Sequence, residues 1–275
     1  MEPRVQYTRT SDGVSIAYWS IGEGDPIVFM PSMPLSHIEF EWRFPEWRAF
    51  FERFAERRRV VRYDGRGTGL SDRRAINYSL ETLGLDLEAV LDGLGLERVT
   101  LFSAYLAGPA AISFVVAHPE RIANLILWCS FPNGTEISSP TIRATRSLID
   151  QDWEVYTQTA AHVLLGWNAG EAAQTFSRFI AEANSNEGVA ALFQAAAGFD
   201  VTDQLSSVRP PTLVMQRRGI SWLSLDLGRE LAAGIPNARL AVLEGESIAP
   251  FMGDVDSVVN ATFDFLGDSQ PERRG

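Results

Sequence analysis

Short apolar runs alternate with amphipathic stretches along most of the chain. "VSIAYWSIG", "PIVFMPS", "VVRYD", "RVTLFS", "ANLILWCS", "PTLVMQR" and "ARLAVLEG" have the length and β-branched or aromatic content of strands. Between them, "PEWRAFFERFAERRR", "SLETLGLDLEAVLDGLGL", "GPAAISFVVAHPERI", "LDLGRELAAGI" and "DVDSVVNATFDFLG" carry a helical period. The helix at "GPAAISFVVA" is expected to end before Pro119, and the last one to be capped by Asp254. Such β-α-β alternation predicts a mostly parallel sheet with helices on both faces.

Residues 132–205 break this rhythm. They offer no strand-like run and read as helices in "SLIDQDWEVYTQTAAHVLLGW", "GEAAQTFSRFIAEAN" and "EGVAALFQAAAGF". The expected organisation is a core in two parts, 1–131 and 206–268, with a helical cap inserted at 132–205. The polar end, 269–275, reads as a tail or linker. There is no internal repeat.

Composition narrows the function classes. The net charge is −11 over 275 residues, which disfavours phosphate backbones and anionic lipid surfaces as partners. All 24 basic residues are Arg, so Schiff-base and phosphate-anchoring lysines are excluded. The one cysteine, Cys129, lies in "LILWCSF" and reads as a small buried strand residue. "MEPRVQYTRT" has no apolar signal core and no run approaches a membrane span, so a cytoplasmic location is expected. No metal or cofactor motif is present, and none is expected to bind.

"VVRYDGRGTGLSD", the strand–turn–helix at 99–118, "AHPERIANLIL" and "RPPTLVMQRRG" together resemble the α/β-hydrolase fold family. The resemblance covers essentially the whole chain. It implies an α/β-hydrolase fold with an eight-stranded, mostly parallel sheet, helices on both faces and a helical cap. The chain is similar in particular to hydrolase-like domains that precede class III nucleotide cyclases and some transcription regulators in actinobacteria. "FLGDSQPERRG" resembles the passage into such a cyclase.

The family's chemistry implies a serine on a strained elbow, an acid after a late strand and a histidine after the last strand. Here the elbow is "SAYLAG", with Ser103 and Ala107 at the usual glycine places and Tyr105 at the nucleophile place. The acid place after "PTLVMQRRG" holds Ile220, and the earlier alternative in "CSFPNGTE" offers only Asn133. The base place in "GESIAPFMGD" holds Ile248, with Glu246 read as a solvated loop carboxylate. Isoleucine carries no proton and accepts no hydrogen bond.

Three histidines exist in the chain. His118 reads as structural and His162 belongs to the insertion. His37 follows "MPSMPLS", near where the oxyanion loop would lie, and is expected to line a pocket or hydrogen-bond there. Ser103 reads as a small residue under the turn. "DGRGTGLSD" lacks the Gly-Lys-Ser/Thr of a phosphate loop, so its glycines are expected to serve turns while Asp64 and Arg66 tie the strand end to its neighbours.

The resulting expectation is a degenerate hydrolase site that binds an apolar or amphipathic small molecule. Its lining is expected from Met33, Leu35, His37, Tyr105, Leu106, Ile220 and Ile248, with Leu106 offering a backbone N–H. Trp153, Tyr156, Trp167, Phe176 and Phe179 are candidate lid residues. By resemblance, the partner would be a C-terminal output domain such as a nucleotide cyclase, with a homodimer also possible. Two alternatives stand beside it: an unconventional esterase or lyase using Tyr105 and His37, and an interaction or dimerisation module.

Overall fold

The period-two runs pair into one eight-stranded sheet in a computed structural model, which describes residues 2–32 and 35–268. The expected tail 269–275 lies outside the described residues. The strands are β1 (Gln6–Arg9), β2 (Ser15–Ile21), β3 (Pro26–Phe29), β4 (Arg59–Tyr63), β5 (Val99–Ala104), β6 (Ile122–Trp128), β7 (Thr212–Arg217) and β8 (Ala238–Leu243). Their spatial order is β1-β2-β4-β3-β5-β6-β7-β8. β1 and β2 pair antiparallel, β2 pairs antiparallel with β4, and every later pairing is parallel. All six residues of β5 are buried, as a central strand covered on both faces must be.

The helices are α1 (Ile38–Arg43), α2 (Pro45–Ala55), α3 (Leu80–Gly93), α4 (Gly108–Ala117), α5 (Pro140–Arg146), α6 (Trp153–Leu165), α7 (Glu171–Ala183), α8 (Asn186–Ala196), α9 (Leu225–Gly234) and α10 (Val255–Leu266). Of these, α5 to α8 all fall between β6 and β7. None of the helices described is long and apolar enough to cross a membrane.

Four elements differ from the sequence expectation, one of them α5, which lies wholly ahead of the first run expected to be helical in the cap. β1 was not foreseen, because its residues are mostly exposed and carry no apolar alternation. The six-residue α1 is too short to show a helical period. The single helix expected over "SLIDQDWEVYTQTAAHVLLGW" begins only at Trp153, because Asp152 caps it by accepting the Val155 N–H at 3.0 Å.

The loop after β4 is fastened by buried charge. Asp64 accepts hydrogen bonds from the Ile38 and Leu70 N–H groups and from the Ser36 hydroxyl. A Cβ on Gly69 would lie 2.2 Å from the Asp64 carboxylate, and Gly69 has φ +52°, so glycine is required there. Arg66 pairs with Asp86 and Asp12, and Arg62 with Glu41. Above β3, Phe29 meets Phe50, Phe51, Phe54 and Phe102 with ring centroids 4.8–5.7 Å apart.

Candidate functional site

β5 runs into a single 3-10 turn, Tyr105–Ala107, and then into α4. Tyr105 sits at φ +50°, in the left-handed region. A non-glycine residue there stores about 1–3 kcal/mol of strain. The turn closes because its flanks are small: Ser103 and Ala107 are wholly buried, and a Cβ on Gly108 would stand 1.6 Å from the Ser130 hydroxyl oxygen. The elbow geometry therefore survives without its serine.

The Tyr105 ring is buried edge-on between Phe131 and Trp222, with centroids 5.7 and 5.4 Å away. Burial pushes its phenol pKa well above the ordinary value, and the Arg146 charge opposes that only in part. The hydroxyl thus stays protonated near neutrality. A protonated phenol needs an adjacent base to act as a nucleophile.

Among the described residues no such base hydrogen-bonds the phenol. Ile248 and Ile220 are both buried. His37 is the N-cap of α1: its Nδ1 accepts the Phe40 N–H at 3.3 Å, and burial lowers its pKa. No hydrogen bond joins it to Tyr105. His118 lies against Phe114, and His162 stacks on the exposed Trp167.

The two loops that would carry acid and base do different work here. The Trp222 indole N–H donates to the Val163 carbonyl at 2.8 Å, and the Ile248 N–H to the Leu164 carbonyl at 3.0 Å. Both carbonyls belong to the last turn of α6, which has no partner within its own helix. The Ile248 carbonyl accepts from the Trp128 indole at 2.6 Å. Arg217, at the end of β7, donates to the Ser247, Ala249 and Met252 carbonyls and lies over the Trp128 ring. Both loops thus fasten the C-terminal end of α6.

Two small cavities flank this centre where one pocket was expected. The first, about 60 Å³, is bounded by Leu35, Trp47, Phe102, Phe176, Ile248 and Phe251 among others. The second, about 40 Å³, is bounded by Leu35, Tyr105, Leu106, Arg146, Tyr156 and Phe193 among others. Leu35 borders both. Tyr105 and Ile248 thus face different spaces. His37 and Ile220 border neither: His37 caps its own helix, and Ile220 is buried outside both linings. Met33 lies outside the described residues. Of the candidate lid residues, Tyr156 and Phe176 reach the cavities. Trp153 stacks on Tyr156, Phe179 packs on Trp47, and Trp167 is 70% exposed.

Sequence reasoning missed Arg146 and Trp222. Arg146 is one of many arginines on amphipathic helices, and nothing local marks it. Trp222 stands two residues after the position examined for an acid.

Fold and elbow define a class. A family model described as alpha/beta hydrolase fold matches residues 25–187, and the chain belongs to that family. It is 25% identical over 268 residues to the AB hydrolase superfamily protein YisY of Bacillus subtilis (strain 168), spanning 92% of this chain and 95% of that one. It is 26% identical over 274 residues to the non-heme chloroperoxidase CPO-A1 of Kitasatospora aureofaciens, spanning 94% and 98%. Among solved structures, a bromoperoxidase from Bacillus anthracis superposes with a TM-score of 0.85 at 21% identity, over 96% of this chain and all of that one. That likeness concerns the fold.

Proposed function

We propose that this chain is a non-catalytic member of its family that binds a small apolar or amphipathic molecule beside the old elbow. The observation that carries the reading is the set of groups around Tyr105. Its phenol is held protonated by burial, its ring is wedged by Phe131 and Trp222, and the acid and base places are isoleucines. In a serine hydrolase, loss of nucleophile or base alone lowers turnover by about a millionfold. The cavities beside Tyr105 and Ile248 are largely apolar with few polar groups, which suits a small-molecule site. The similarity of "FLGDSQPERRG" to a cyclase junction extends the reading to regulation of an output domain.

The test is turnover of p-nitrophenyl butyrate by the purified chain and by Tyr105→Phe. Both are expected to match the buffer rate. Turnover by the native chain that disappears in Tyr105→Phe overturns the reading.

A second reading is an unconventional enzyme. It draws on the hydrolase and peroxidase names of the relatives and on the strained elbow that Tyr105 retains. In that case the group acting on the phenol would be Arg146, not His37, because only Arg146 exerts an electrostatic pull on it.

A further inference from the structure

Arg146 is the last residue of α5, and its Nε and Nη2 are shut off from water with no hydrogen-bond partner. Its guanidinium lies over the Phe193 ring, 4.1 Å from the centroid. It borders the 40 Å³ cavity together with the phenols of Tyr105 and Tyr156. Among the described residues no Asp or Glu lines that cavity. Among the described residues no hydrogen bond satisfies either phenol hydroxyl.

This is an unusual arrangement for a folded protein. Buried polar groups are almost always paired, yet Arg146, half-buried as a whole, keeps two guanidinium nitrogens buried with no partner. Arginine keeps its proton in proteins, so the charge cannot be shed. Three groups able to donate hydrogen bonds border one small space whose described lining holds neutral hydroxyls, Thr145 among them, but no anionic acceptor. A ligand acceptor carrying one negative charge is what the space lacks.

We propose that this cavity binds a monocarboxylate with a short apolar tail, its carboxylate held by the Arg146 guanidinium and the Tyr105 and Tyr156 hydroxyls. The proposal rests on the binding reading above and names its ligand class. The planar guanidinium fork matches a carboxylate's two oxygens. The cavity has room for about three water-sized centres, the scale of one carboxylate head. The remaining wall, Leu35, Leu106, Ile142 and Ala160 among it, is apolar apart from Thr145. Beyond Leu35 lies the larger, mostly apolar cavity, which offers space for the tail. A phosphate dianion would bring two charges to one cation and leave the second uncompensated against hydrocarbon.

Isothermal titration calorimetry on the whole chain tests this with hexanoate and benzoate, each beside its own amide, and with inorganic phosphate. At least one acid is expected to bind ten-fold or more tighter than its amide. Arg146→Met is expected to bring the acid down to the level of the amide. The same variant, freed of two buried unpaired donor groups, is expected to melt about 2 °C or more above the native chain. Arg146→Lys is expected to keep part of the acid's advantage. Acid and amide binding alike overturns the carboxylate site while leaving non-catalytic binding intact. Acid binding that survives Arg146→Met, phosphate binding as tight as the acids, or no heat from either acid also overturns it. The binding reading fails separately, through ester turnover abolished by Tyr105→Phe.

Discussion

Trp222 stands edge-on to Tyr105, ring centroids 5.4 Å apart at 78°, while its indole N–H holds the Val163 carbonyl at 2.8 Å. One side chain therefore wedges the old nucleophile position and fastens the last turn of α6. Trp222→Phe keeps most of the wedge and releases the carbonyl. An unsatisfied buried acceptor costs about 1–3 kcal/mol. Urea unfolding is expected to show a loss of that size, and an unchanged midpoint would mean that the fastening contributes nothing.

Restoring the missing hydrolase residues one or two at a time is expected to fail. In Tyr105→Ser the hydroxyl meets no base. In Tyr105→Ser with Ile248→His the new imidazole faces the cavity on the far side of Leu35, not the elbow. Both variants are expected to turn over p-nitrophenyl acetate at the buffer rate. Removal of the buried ring is also expected to cost about 3 kcal/mol of stability or more. Activity in the double variant would show that the two loops still converge.

Stability is expected to fall as pH rises through about 6 to 7 and to level off above it. Burial, followed by the Glu41 charge, pushes Asp64 up to about 7, and burial pushes Asp86 up to about 6. In the unfolded chain both lose their protons near the ordinary carboxylate value of about 3.9. Folding therefore takes up protons, and the stabilisation present at low pH is lost as pH climbs through the folded values. His37 acts in the opposite sense, because its pKa is lowered, but only below about 6.5. Between about pH 6.5 and 8 the Asp64 effect stands alone, and the melting temperature is expected to drop. Asp64→Asn is expected to flatten that slope. A melting temperature that rises over the same interval would refute the assignment.

Cys129 is expected to be inert in the native state. Its thiol is wholly buried, and burial pushes its pKa up to about 12. Thiolate, the reactive form, is then negligible at neutral pH. Ellman's reagent is expected to react only after urea unfolds the chain. Rapid labelling of the native protein would contradict the placement.

The alternation of the seven strands after β1 with their helices and the tight turn at 103–108 were legible in the sequence. They depend on relations between near neighbours: an alternation of two, a period near 3.6, small residues flanking a turn. β1, α1 and α5 escaped because each is too short or too exposed to leave such a period. Tertiary packing alone decided that His37 caps α1, that Ile248 and Tyr105 border separate cavities, and that Trp222 and Arg146 meet Tyr105. Arg146 lies 41 positions from Tyr105 in the chain. Its approach depends on how α5 seats across the sheet, and no local pattern of apolar and polar positions encodes a distance between side chains that far apart.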